Sequence, residues 1–239
     1  GHVDGRVVIP GDGFAVVQLA VEALDADVDR LDGDVPAFRD PGAQARDRLG
    51  AYETTTYRRA NPYQSEGAKT LGYEIILQYG GVPDWIVVPI GGGGTLSSIW
   101  RALLDLREMG RIDRLPRIAG VQPAAYNALE IAEREGLSTD EDLLAIPFPE
   151  TPETILVKLQ HTYPHDGAEA LAAIRESGGA VCVATDEEAI LALRRIGAAE
   201  GLYAEPSSTV VLPAIERLLA EGKMQPGQSV VAVLTGSAH

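Results

Sequence analysis

The 239 residues are long enough for one large or two small domains, and a hydrophobic content of 45% is that of a chain that packs a core. Against 20 lysines and arginines stand 35 aspartates and glutamates, a net charge of -15 that repels nucleic acid and anionic membrane surfaces and argues against both as partners. No run approaches the length of a membrane span, Gly1-His2-Val3-Asp4 lacks the basic-then-apolar layout of a secretory signal, and the lone Cys182 excludes an internal disulfide or CxxC metal site, so the chain reads as a cytoplasmic protein with a buried structural thiol.

Arg6 to Pro10 is a short apolar run closed by Gly11, a predicted strand, after which apolar residues recur at helical spacing to Leu24. The alternation repeats with a strand at Val28 to Leu31, a polar helix around Gly42 to Leu49, and a threonine-rich, β-prone stretch from Tyr52 to Tyr57. Gln64 to Tyr79 again has helical spacing and is stopped by Gly80-Gly81-Val82-Pro83. Trp85 to Ile90 is apolar on both faces, as a parallel strand buried between helices must be, and a helix is predicted from Leu96 to Glu108. Further buried strands are expected at Ile118 to Gln122, Ala180 to Ala184 and Ser229 to Leu234, with helices near Ala124 to Glu135, Gly167 to Glu176, Asp186 to Glu200 and Thr209 to Glu221. That order is an α/β protein with open parallel sheets and helices on both faces. No long repeat or Gly/Ser tract interrupts it, so any domain boundary is compact and falls near residues 60 to 70.

Between the strand at Trp85 and the helix at Leu96 lies Gly91-Gly92-Gly93-Gly94-Thr95. A strand running through four glycines into a helix leaves backbone N–H groups unobstructed at the positive end of the helix dipole, where a phosphate binds, and Thr95 adds a hydroxyl. A merely flexible turn would carry an entropic cost of roughly 0.5 to 1 kcal/mol for each glycine. A nucleotide P-loop requires Lys then Ser or Thr after the last glycine, whereas Thr95-Leu96-Ser97-Ser98 follows here. The dinucleotide fingerprint requires an acidic residue ending the next strand, whereas this one ends in Val121-Gln122-Pro123. A single phosphate is the better ligand.

Other segments stand in a recognisable order around this run: Asn61-Pro62-Tyr63, Glu66-Gly67 and Lys69-Thr70 before it, and Arg114-Leu115-Pro116-Arg117 and Gly120-Val121-Gln122 after it. Pro152-Glu153-Thr154, Glu176-Ser177-Gly178-Gly179, Asp186-Glu187-Glu188, Glu200-Gly201, Glu205-Pro206-Ser207 and Leu234-Thr235-Gly236 complete the series. Together they resemble the pyridoxal-phosphate enzymes of the tryptophan synthase β fold, fold type II, and among these the threonine synthases most closely. The resemblance implies a two-domain architecture, with residues 1–62 the remainder of a smaller N-terminal domain and residues 63–239 the large cofactor-binding domain. It implies a homodimer, and a small phosphorylated or hydroxylated amino acid as substrate. It also implies that Gly91, Gly92, Gly93, Gly94 and Thr95 bind the 5′-phosphate of pyridoxal 5′-phosphate, and that Thr235 hydrogen-bonds the pyridine nitrogen. A hydroxyl, unlike a carboxylate, does not hold that nitrogen protonated, so the ring is a milder electron sink and chemistry is steered toward β and γ elimination or replacement. Taken alone, Thr235 is equally a β-branched residue closing a strand.

Substrate-site candidates are Arg58, Arg59, Asn61 and Glu205. Arg58 and Arg59 read either as partners of a substrate phosphate or as a solvated basic pair. Glu205 precedes Pro206, which suits a first helical position. No metal site is expected, since Pro164 lies between His161 and His165 and breaks a shared helical face. The lysine on which this family carries its cofactor is missing: Lys69, Lys158 and Lys223 do not sit in its motif, which is expected upstream of Gly1, so the chain reads as the C-terminal part of an enzyme, inactive alone. Gln64 stands where threonine synthases usually carry an arginine, and the four glycines are closer to the amino-acid dehydratases. A serine or threonine dehydratase, a cysteate-synthase-like β-replacement enzyme, and a non-catalytic binding module are the alternatives.

Overall fold

The computed structural model describes residues 6–10, 27–31, 50, 52–147, 153–161 and 163–237, and the chain divides into two compact units, Gly1–Thr55 and Thr56–His239. In the first unit β1 (Arg6–Pro10) and β2 (Asp27–Leu31) pair in parallel, Arg6 opposite Asp27 and Pro10 opposite Leu31. The helices expected up to Leu24 and around Gly42 to Leu49 lie outside the described residues. Tyr52 to Tyr57 does not form the expected strand. Its threonines suit a pleated surface, but the Tyr57 carbonyl instead accepts from Asn61 N–H at 3.0 Å and turns the chain into a helix.

The second unit opens with α1 (Pro62–Ala68) and α2 (Thr70–Tyr79). The single helix expected from Gln64 to Tyr79 is divided at Lys69, where the Lys69 N–H bonds to the Glu66 (3.2 Å) and Gly67 carbonyls and Thr70 Oγ1 donates to the Gly67 carbonyl (2.8 Å). Asn61 starts α1 by accepting from Gln64 N–H, and Gly80, left-handed at φ 76°, ends α2. There follow β3 (Trp85–Pro89), α3 (Gly94–Glu108), β4 (Arg117–Pro123), α4 (Ala128–Glu135) and α5 (Asp140–Ala145). A 3₁₀ turn (Val157–Leu159) leads to α6 (Gly167–Glu176), β5 (Ala180–Ala184), α7 (Asp186–Glu200), α8 (Pro206–Thr209), α9 (Val211–Ala220) and β6 (Val230–Ala232). The four strands of this unit are parallel in the order β5-β4-β3-β6.

Alternation along the strands divides the core into two layers. Ile86, Val88 and Ile118 pack with Ile99 and Leu103 of α3 and Ile174 of α6 on one face. Trp85, Val87, Ala119, Val121 and Cys182 pack with Ala189 of α7 and Val211, Ala214 and Leu218 of α9 on the other. Both faces are thus covered by helices, which is why these strands read as continuous apolar runs rather than alternating ones. Gly120 falls on the first face, where a Cβ would run into the Ile90 and Ile174 side chains, so glycine is needed for α6 to seat.

Candidate functional site

Because the four strands are parallel, their carboxyl ends lie along one edge of the sheet, the edge at which open α/β sheets bind ligands. There the Ile90 N–H bonds to the Val121 carbonyl (2.7 Å), and the chain passes through Gly91–Gly94 into α3. Gly93 is the N-cap at φ 95°, no side chain caps it, and the first helical bond runs from Ser97 N–H to the Gly93 carbonyl (3.0 Å). The N–H groups of Gly93, Gly94, Thr95 and Leu96 are therefore left without intrahelical acceptors at the positive end of a 15-residue helix. Thr95 is exposed in the first turn.

Three of the four glycines are required by the segment packed behind them. A Cβ on Gly91 would lie 2.5 Å from His161 Cδ2, one on Gly93 2.6 Å from the Asp166 carbonyl oxygen, and one on Gly94 2.7 Å from Asp166 Oδ2. Gly92 alone has ordinary room, with His161 at 3.6 Å.

Asp166 ties this turn to its neighbours. Its N–H donates to the Gly92 carbonyl (2.8 Å), its own carbonyl accepts from Ala170 N–H (3.0 Å), and its Oδ1 accepts from Arg58 N–H (3.0 Å). The residue is 5% exposed, and burial pushes its carboxyl up to about 6 against the lowering effect of the Arg58 N–H. The Arg58 guanidinium pairs at the surface with Glu169 (2.5 Å), while Arg59 is exposed with its charge felt at Tyr163. Asn61 is buried as the cap of α1. His165 stacks on Tyr57 (4.2 Å between centroids) and meets Tyr163 edge-on, while burial first, and then His165, holds the His161 imidazole below its usual range. Among the described residues no group of three or more His, Cys, Asp or Glu is placed to hold a metal, and no helix is long and apolar enough to cross a membrane.

Next to β3 in the sheet, β6 leads through Val233, whose N–H bonds to the Val87 carbonyl (2.9 Å), to Thr235 and Gly236. Thr235 is exposed, and the fully buried Ser208 stands behind it. Its Oγ accepts from Gly236 N–H (2.7 Å) and lies 3.3 Å from Thr235 Oγ1. Glu205 precedes α8, its N–H bonds to the Gly236 carbonyl (3.1 Å), and its side chain fills the space a Cβ on Gly236 would need. On the far side of the glycine turn, a cavity of about 350 Å³ is lined by Gly91, Gln122, Tyr126, Asn127, Leu159 and His161. Gln122 Oε1 accepts from Leu129 N–H there (2.8 Å), so α4 begins only at Ala128 rather than Ala124. Sequence reasoning did not find Asp166, Ser208 or Gln122, whose roles depend on contacts across the fold.

A glycine turn opening a helix on one strand and an exposed hydroxyl on the next sit at the edge of an open parallel α/β sheet. Solved structures share it: serine racemase from Dictyostelium discoideum superposes with a TM-score of 0.75 at 21% identity, covering 99% of this chain and 69% of that one. Threonine deaminase isoform 2 from Solanum lycopersicum gives 0.75 at 16%, covering 99% and 63%. The chain matches the pyridoxal-phosphate dependent enzyme family over residues 1–236 and belongs to that family. Among curated relatives, a threonine synthase from Synechocystis sp. is 32% identical over 97% of this chain and 56% of its own length, and one from Methanosarcina acetivorans is 34% identical over 74% and 42%. The chain spans about half the length of these relatives.

Proposed function

We propose that Gly91–Gly94 and Thr95 hold the 5′-phosphate of pyridoxal phosphate, that Thr235 faces its pyridine nitrogen, and that the protein is a threonine synthase, taking O-phosphohomoserine and water to threonine and phosphate. The observation that carries the activity is the 32% identity to a threonine synthase across 97% of the chain. The residues suit the group: the turn offers uncapped N–H donors, Gly92 is crowded by nothing closer than His161 at 3.6 Å, and the ends of the adjacent strands β3 and β6 bring the glycine turn and a hydroxyl to one edge. When bound, the cofactor supplies an electron sink for carbon-acid chemistry.

In this reading the turn binds and anchors, and the Thr235 hydroxyl, backed by Ser208, donates to an unprotonated ring nitrogen. Arg58 and Arg59 draw the substrate phosphate toward the loop, with Asn61 and Glu205 lining the approach. Lys69 is engaged by Glu66 (3.0 Å) and Asp105 and pushed up to about 12 first by Asp105, so it stays charged and is unsuited to covalent work. Residues 63–239 serve as the cofactor-binding domain and residues 1–62 as part of the smaller one, in a cytoplasmic homodimer. The test is to supply O-phosphohomoserine to the full-length protein and follow phosphate and threonine together. One observation favours a serine or threonine dehydratase instead: Glu169 already holds the Arg58 guanidinium. Release of α-keto acid and ammonia from serine or threonine, with no phosphate released from O-phosphohomoserine, replaces the synthase reading by that one.

A further inference from the structure

A buried carboxylate against a phosphate cradle is an electrostatic conflict, and Asp166 creates one here. Its Oδ2 is the atom that a Gly94 Cβ would meet at 2.7 Å, and its main chain packs on Gly92 and Gly93, so the carboxylate abuts the turn whose N–H groups are free for an anion. Oδ1 accepts from Arg58 N–H, but no described residue donates to Oδ2. The surroundings neutralise it only in part: Arg58 and Arg101 favour the charged form, but less than burial opposes it. The Arg58 guanidinium is drawn to Glu169 of α6, and Arg101 of α3 is held by Glu66 and Ser65 of α1 and by Ser98 of its own helix. His161, whose ring packs on Gly91 and Gly92, is kept neutral by burial, and His165 is sandwiched against Tyr57 and Tyr163. Glu169 adds a further negative charge.

We propose that Asp166 is a proton-linked gate for the phosphate: the glycine turn takes up the phosphate dianion together with a proton from solvent, which comes to rest on Asp166 Oδ2. The neutral acid removes the repulsion and turns Oδ2 from an acceptor with no protein donor into an O–H donor beside the turn. In the ligand-free protein the carboxyl is already raised to about 6, by burial first, so protonation needs only the further push that an adjacent dianion gives. The inference rests on the cofactor reading above, and extends it by making phosphate affinity at this turn fall with rising pH.

The test is calorimetric titration of the full chain with pyridoxine 5′-phosphate, which lacks the aldehyde and makes no covalent bond, at pH 7.5 in two buffers of different ionisation enthalpy. A phosphate monoester with a second pKa of about 6 is almost wholly dianionic there. The expected result is uptake of about one proton per ligand bound. Asp166→Asn, which presents an N–H donor in place of the acid O–H, should bind with no such uptake and lose the roughly tenfold weakening per pH unit above neutrality. Binding to the wild type without proton uptake, or equal uptake by Asp166→Asn, overturns the inference alone. Absence of any binding to the wild type overturns the cofactor reading and this inference with it. Proton uptake is read on the wild type, so the test stands even if the variant fails to fold.

Discussion

Replacing Gly93 by alanine tests how the glycine turn is built. At φ 95° an alanine pays about 1–2 kcal/mol for the left-handed backbone. Its Cβ also falls 2.6 Å from the Asp166 carbonyl oxygen and 2.8 Å from the carbonyl carbon. Both are main-chain atoms fixed by the bonds from Asp166 N–H to Gly92 and from Ala170 N–H to Asp166, so relief requires shifting the start of α6. Overpacking of that kind costs about 1–3 kcal/mol, bringing the total to about 2–5 kcal/mol, a large part of the 5–15 kcal/mol that holds a typical domain folded. Gly92→Ala is the internal control: its Cβ meets only His161, at 3.6 Å, and its effect on stability should stay within about 0.5 kcal/mol. Urea unfolding of the two variants beside the wild type measures both. A Gly93→Ala protein as stable as wild type, or a Gly92→Ala protein as damaged as Gly93→Ala, refutes the account of the turn.

Other perturbations follow from the same contacts. Ser208→Ala leaves the Gly236 N–H without its acceptor and should lower stability by about 1–3 kcal/mol in thermal unfolding, with weaker cofactor binding through a loosened Thr235 corner. Gly120→Val forces Ile90 and Ile174 aside and should cost about 1–3 kcal/mol or more by urea midpoint; a neutral result means that α6 does not seat on β4 as described. Asp166 titrates near 3.9 when unfolded and about 6 when folded, so the folded state binds the extra proton in between. Stability should therefore fall as pH rises from about 4 through 6 and then level off, by an amount on the order of 2 kcal/mol, and Asp166→Asn should lack this fall. Parallel stability curves for the two proteins would count against the burial of that charge. Cys182, buried and pushed up to about 11, should react with thiol reagents at pH 8 only as fast as the protein unfolds.

The sheet was legible in the sequence wherever burial on both faces leaves continuous apolar runs: Trp85–Pro89, Arg117–Pro123 and Ala180–Ala184 form within a residue or two of their expected bounds. The start of α7 was equally readable, because Thr185 and Glu188 form a capping box from local sequence alone. Readings that depended on composition without a local partner went astray. Tyr52 to Tyr57 has threonines but pairs with no strand among the described residues, and Ala124 and Ala125 are helix formers held in a turn by the demand of the buried Gln122 side chain for Leu129 N–H. The same limit applies to the site. The glycine run stands out in the sequence, but that three glycines are imposed by His161 and Asp166, some seventy residues on, is a tertiary fact with no sequence signature.

The central claim is that this turn recognises the phosphate of a pyridoxal cofactor. It is tested most directly by comparing affinities for pyridoxal 5′-phosphate and for pyridoxal, which differ only in that phosphate. Several charge-assisted N–H bonds at about 1.5–3 kcal/mol each predict a preference of at least about a hundredfold for the phosphorylated form. Equal affinity for the two, or a preference undiminished in Gly93→Ala, would contradict it.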